Sequence, residues 1–80
     1  MLVSGKELFQ DAKRRKYAVG AFNINNMEIM QAIVEVAEEL NSPVFIQASQ
    51  GGIKYAGLEY IAGMGKIAAA KAKVPVALNI

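Results

Sequence analysis

Polar side chains placed at the ends of apolar runs are the residues here with the geometry for chemistry. Asn23 bounds the run Tyr17 to Phe22, and Ser49 follows the run Val44 to Ala48. In parallel α/β proteins such positions lie on the rim where ligands bind. Asn and Ser also cap and turn the chain at such places, so the residues alone leave both readings open. Gln47 lies within an apolar run, where a buried amide needs a hydrogen-bonding partner, which points to a polar sheet or barrel interior.

The glycines raise the question of phosphate. Gly51-Gly52 after a strand could aim backbone N–H groups at an anion. Gly52 and Gly57 have Walker spacing, but Leu58-Glu59 stands where Lys-Ser/Thr belongs. Gly63-Met64-Gly65 lacks the third glycine of a dinucleotide fingerprint and falls in a helical pattern. The double glycine therefore reads as a tight strand-to-helix turn, and Gly63 and Gly65 as positions that let a helix approach a sheet. Lys6, Lys13, Lys16, Lys54, Lys66, Lys71 and Lys73 all fall outside the predicted strands, so none has the desolvated setting of a Schiff-base nucleophile. Lys54 lies nearest the rim and reads as a solvated loop lysine. Met27, Met30 and Met64 read as core filler.

Composition narrows the classes further. The 80 residues contain no His and no Cys, which removes the commonest metal ligands and nucleophiles and leaves no disulfide. A net charge of +2 is too small to argue for nucleic acid. The one basic run, Lys13-Arg14-Arg15-Lys16, reads as a helix C-terminus complementing the macrodipole. Nothing approaches the ~18 apolar residues that span a bilayer, and Met1-Leu2-Val3 leads straight into a helix cap rather than a signal peptide. A cytoplasmic protein without nucleic-acid or membrane partners is expected. The apolar content of 54% exceeds the roughly 45–50% of ordinary domains, so apolar faces meant for something outside these residues are expected as well.

The elements that must position Asn23 and Ser49 follow from capping and periodicity. Ser4-Gly5-Lys6-Glu7 is a capping box with Val3 stapled onto Leu8, predicting a helix over 4–15. Tyr17 to Phe22 is the first strand. Asn25 followed by Glu28 is a second capping signal for a helix from about Asn26 to Leu40. Ile29, Ile33, Val36, Ala37 and Leu40 fall on its apolar face. Asn41-Ser42-Pro43 ends it. Val44 to Ala48 is the second strand, a helix runs from about Gly57 to Lys73, and Val74 to Ile80 is the third strand. Strands joined by helices run parallel, and strands apolar almost throughout are expected to be covered on both faces. Their C-terminal ends then share one rim, which holds Asn23 and Ser49.

Five stretches now acquire a common meaning: Tyr17-Ala-Val-Gly-Ala-Phe-Asn-Ile-Asn-Asn26, Glu28 with Gln31-Ala32-Ile33, Ser42-Pro43-Val44, Ser49-Gln50-Gly51-Gly52, and Val74-Pro-Val-Ala-Leu78. In this order and spacing they resemble the N-terminal part of class II, zinc-dependent fructose-bisphosphate aldolases across nearly the whole chain. The resemblance implies α/β architecture: the N-terminal part of a (β/α)8 TIM barrel, with a capping helix, three parallel strands and two intervening helices. Residues 1–80 would be an N-terminal fragment of a single barrel domain.

The resemblance also implies cleavage of fructose 1,6-bisphosphate to dihydroxyacetone phosphate and glyceraldehyde 3-phosphate, in glycolysis and gluconeogenesis, with Zn2+ in the parent enzyme. By motif match, Asn23 resembles the Asn holding substrate near the reacting carbons, and Ser49 the Ser contacting a substrate phosphate. The family's catalytic Asp and zinc-ligand His would follow just after Ile80, so residues 1–80 alone are expected to bind no zinc and to be inactive. Asn79 departs from the family, where His is common. Two alternatives remain at this stage: a tagatose-bisphosphate aldolase of the same family, or a non-catalytic barrel piece. Partners expected are a phosphorylated sugar and further protein copies, met as a homo-oligomer or through open strand edges.

Overall fold

The computed structural model describes residues 1–79. Ser4 starts the first helix as its type predicts: its Oγ accepts the Glu7 N–H at 3.1 Å and opens α1, Gly5–Arg15. Val3 packs into the same apolar cluster as Leu8, completing the staple. At the other end Arg14 and Arg15 both reach Asp11, at 2.7 and 3.3 Å. The basic run is thus a helix terminus. Tyr17, expected in the first strand, instead donates its hydroxyl to Asp11 Oδ2 at 2.7 Å.

The first strand is accordingly shorter and later than predicted: β1 covers Gly20–Asn23. Helix α2, Met27–Glu39, follows and is capped by Asn26, whose side chain accepts the Ile29 N–H at 2.8 Å. Asn25 is not the cap. The buried residues of α2 are Met30, Val34 and Ala37, while Ile29, Val36 and Leu40 are exposed. The apolar stripe inferred from sequence is therefore turned partly away from the core, with Ile33 at its margin.

Strand β2, Val44–Gln47, leads to two helices where one was expected: α3, Gln50–Ala56, and α4, Leu58–Lys71. Ser49 caps α3, so Gly51-Gly52 forms a helical first turn rather than a loop, and Lys54 is an exposed helix residue. Gly57 separates the helices at φ 97°, a conformation that any side chain would strain. Strand β3 is Val76–Asn79; the predicted continuation to Ile80 lies outside the described residues.

The three strands are parallel, in the order β1-β2-β3. One sheet face meets α2 and α4 through Val44, Ile46, Val76, Met30, Val34, Ile61 and Ala69. Met30, Ile46, Ile61 and Val76 are fully buried there, and burying such a side chain stabilises by about 1.5–3 kcal/mol. Met64 packs against this core but Met27 is half exposed, so only two of the three methionines act as filler. The opposite face is lined by Phe45 and Ala77, covered by Leu8 of α1, with the Phe9 ring tilted 32° against that of Phe45, centroids 4.9 Å apart. The expectation that every strand is covered on both faces fails at β1, which is exposed along its length.

Two ties lock the periphery to the sheet. Leu2 forms a parallel bridge with Val76, the Val3 N–H donates to Val76 O at 3.0 Å, and the Val76 N–H donates to Met1 O at 2.8 Å. The Glu38 carboxylate of α2 accepts the Lys73 backbone N–H at 2.9 Å, holding the end of α4 to its neighbour.

Candidate functional site

Parallel pairing sets the rim by register. Asn23 stands opposite Gln47, and Gln47 opposite Asn79, so the last residues of all three strands form one row. Side chains alternate along a strand with period two, which puts this row on the face of Ala21, Phe45 and Ala77. Consistently, Gln47 and Asn79 line a cavity of about 630 Å3 with Ala21, Phe45, and Lys6 and Phe9 of α1. Helix α1 thus forms one wall of a trough lined at the strand ends by Gln47 and Asn79, with Asn23 next to Gln47 in the row. Among the described residues, no side-chain hydrogen bond engages any of the three.

Ser49 lies two residues beyond Gln47 on the same rim. Its Oγ accepts the Gly52 N–H at 3.2 Å, and a hydroxyl that accepts one bond still carries a proton to donate. Close packing places this turn. A Cβ on Gly52 would lie 2.9 Å from Ile24 O and 3.6 Å from Asn25 Cβ, so the β1–α2 connection and the first turn of α3 rest directly on each other. The Asn23 and Ser49 segments are therefore held at one end of the sheet, as their strand-end positions predicted. Gln47 and Asn79 were visible as individual polar residues, but their alignment needed the register. Helix α3 was missed because two glycines in seven residues hide a short helix.

The sequence has no His or Cys, and no cluster of three or more Asp or Glu forms among the described residues. These residues do not fit a zinc site. No described helix is long and apolar enough to cross a membrane.

Three parallel strands, with α2 and α4 on one face, α1 on the other and polar residues gathered at the C-terminal rim, define a segment of an α/β barrel enzyme. The family described as fructose-bisphosphate aldolase class-II matches residues 3–80. The chain belongs to that family. It is 48% identical over 81 residues to the fructose-bisphosphate aldolase of Helicobacter pylori, covering 100% of this chain and 26% of that protein. It is 45% identical over 82 residues to the fructose-bisphosphate aldolase of Geobacillus stearothermophilus, covering 99% and 29%. Among solved structures, the YdjI aldolase from Escherichia coli K12 superimposes with a TM-score of 0.89 at 33% identity, covering 98% of this chain and 30% of that one. The chain spans about a quarter of the length of the curated relatives it matches.

Proposed function

We propose that residues 1–80 supply the first three strands of a class II aldolase barrel that, at family length, cleaves fructose 1,6-bisphosphate to dihydroxyacetone phosphate and glyceraldehyde 3-phosphate. The observation that carries this reading is the family match over residues 3–80 combined with the register that sets Asn23 and the Ser49 turn on one rim. In this reading Asn23 holds the substrate near its reacting carbons, and the Ser49 hydroxyl donates to a phosphate oxygen. Zinc would polarise the ketone carbonyl in the family-length protein. Its ligands and the acid/base group are assigned to segments beyond these residues, consistent with a donor set here that does not fit the metal. A cytoplasmic site of action fits a phosphorylated metabolite as substrate.

The test is an aldol-cleavage assay on the family-length protein carrying this segment, with fructose and tagatose 1,6-bisphosphates run in parallel. Cleavage of the fructose substrate supports the reading, preference for tagatose moves it to the sister specificity, and no cleavage of either removes it. A second reading, association with further copies of the chain through the open sheet edge, is favoured by one observation. Strand β1 is exposed along its length, beside a cavity of about 400 Å3 lined by Phe22, Ile33, Val36 and Leu40.

A further inference from the structure

Asn23 and Ser49 stand at the mouths of two different connections, and one backbone contact governs the distance between them. Ile24 follows Asn23 directly. A methyl group on Gly52 would have to move from 2.9 Å off the Ile24 carbonyl oxygen to the 3.4 Å at which ordinary contact begins. An alanine there therefore parts the two connections.

The two sides of this contact are unequally anchored. The Ile24 N–H donates to Gln47 O at 2.9 Å, and the Ile24 side chain is 3% exposed in the core it shares with Ile46 and Ile61. Asn26, two residues on, caps α2. Sheet, core and helix thus hold the exit of β1 in place. On the other side Gly52 is buried but Ser49 and Gly51 are exposed, so the first turn of α3 yields before the core does. That movement reaches Ser49 through two bonds, since the Gly52 N–H donates to Ser49 Oγ at 3.2 Å and the Ile53 N–H donates to Ser49 O at 3.0 Å. The first of these bonds also orients the hydroxyl. With its oxygen facing the Gly52 N–H, its proton is directed away from the turn.

We propose that Gly52 is a positioning residue that sets the span between Asn23 and Ser49 and aims the Ser49 hydroxyl, so that the site takes a phosphate only at one distance from the reacting carbons. The proposal rests on Asn23 and Ser49 being substrate contacts. It adds a specificity to them: the ligand is a phosphorylated ketose in which the number of carbons between the carbonyl and this phosphate is fixed. Gly52 touches neither group of the substrate. Gly51, its neighbour, has no such part, because a Cβ there would meet only Ser49 Oγ, at an ordinary 3.8 Å.

The test uses the family-length protein carrying this segment, with fructose 1,6-bisphosphate as substrate and Gly63→Ala as a common background whose added helix propensity offsets part of the strain at Gly52. Gly52→Ala and Ser49→Ala should each raise KM on the order of tenfold, the worth of one hydrogen bond to a charged oxygen, with kcat much less affected. The double variant should be no worse than either single one, because Gly52 acts through Ser49. Gly51→Ala should leave both constants unchanged. A Gly52→Ala variant with less active protein but an unmoved KM overturns the proposal, as does a KM effect that multiplies with that of Ser49→Ala or is matched by Gly51→Ala.

A second arm leaves Gly52 in place and does not depend on that variant folding. Held at a fixed span, Asn23 and Ser49 grip the substrate as a pair, so Asn23→Ala combined with Ser49→Ala should raise KM by less than the product of the two single effects. An effect equal to the product or larger overturns the fixed span. A wild type that cleaves nothing, or a Ser49→Ala variant with unchanged KM, removes the underlying reading and the proposal with it. An active wild type with a sensitive Ser49 and an insensitive Gly52 removes the proposal alone.

Discussion

Gly52 and Gly63 both sit in helices, and their surroundings send the same substitution in opposite directions. Gly63→Ala meets no atom within 4 Å, so it should stabilise the chain by about 0.5–1 kcal/mol through helix propensity alone. Gly52→Ala drives a methyl group to 2.9 Å from Ile24 O and should cost about 1–3 kcal/mol. Paired thermal melts check both. Glycine spacing in the sequence suggested close approach at Gly63 and Gly65 alike, yet only Gly65 has it, against Leu78 at 3.1 Å. Which glycine touches a neighbour is a tertiary fact that local spacing does not contain.

A pH dependence belongs to the same scale. The Tyr17 hydroxyl and the Arg14 guanidinium hold the Asp11 carboxyl below its ordinary 3.8, and the bond to Asp11 holds the Tyr17 phenol above its ordinary 10.0. The contribution of Asp11 is complete above its unfolded value and is lost as pH falls through the lowered folded one. The contribution of Tyr17 is complete below its unfolded value and is lost as pH rises through the raised one. Denaturant titrations of wild type and Tyr17→Phe should therefore run parallel at neutral pH and converge toward both extremes.

Helix α2 shows what an element reveals and conceals. Asn26→Ala removes the side chain that accepts the Ile29 N–H and should cost about 1 kcal/mol. Asn25→Ala should be far milder, and urea melts of the two variants separate them. The existence and extent of α2 were legible from its apolar period and its Asn-rich start. Its orientation was not, because Ile29, Val36 and Leu40 compete with Met30, Val34 and Ala37 for the core. The helix carries two apolar stripes, one for the sheet and one turned outward. Periodicity finds a stripe but cannot rank two. The site divides in the same way: Asn23 and Ser49 were readable as strand-end residues, whereas the alignment of Gln47 and Asn79 with Asn23 needed the pairing of three strands remote in sequence.

At the scale of the whole molecule, the outward stripe of α2 and the exposed β1 edge lie side by side around the cavity of Phe22, Ile33, Val36 and Leu40. This arrangement predicts concentration-dependent association of the 80-residue chain, measured by light scattering on a sizing column. Val36→Glu or Leu40→Glu should shift it toward the monomer without lowering helix content. A wild type that stays monomeric across the accessible concentration range removes the self-association reading. The same chain with added Zn2+ should show no aldol cleavage above a metal-only blank.

The bridge from Leu2 to Val76 has a consequence for time rather than for structure. It joins the start of the sequence to its third strand, closing almost the longest loop that 80 residues permit, and α1 can lie down on Phe45 and Ala77 only once that strand exists. A chain whose contacts are this non-local pays its loop-closure entropy before it is rewarded, and it folds slowly for its size. During synthesis the first helix should wait, formed but undocked, until the last strand of this segment has emerged.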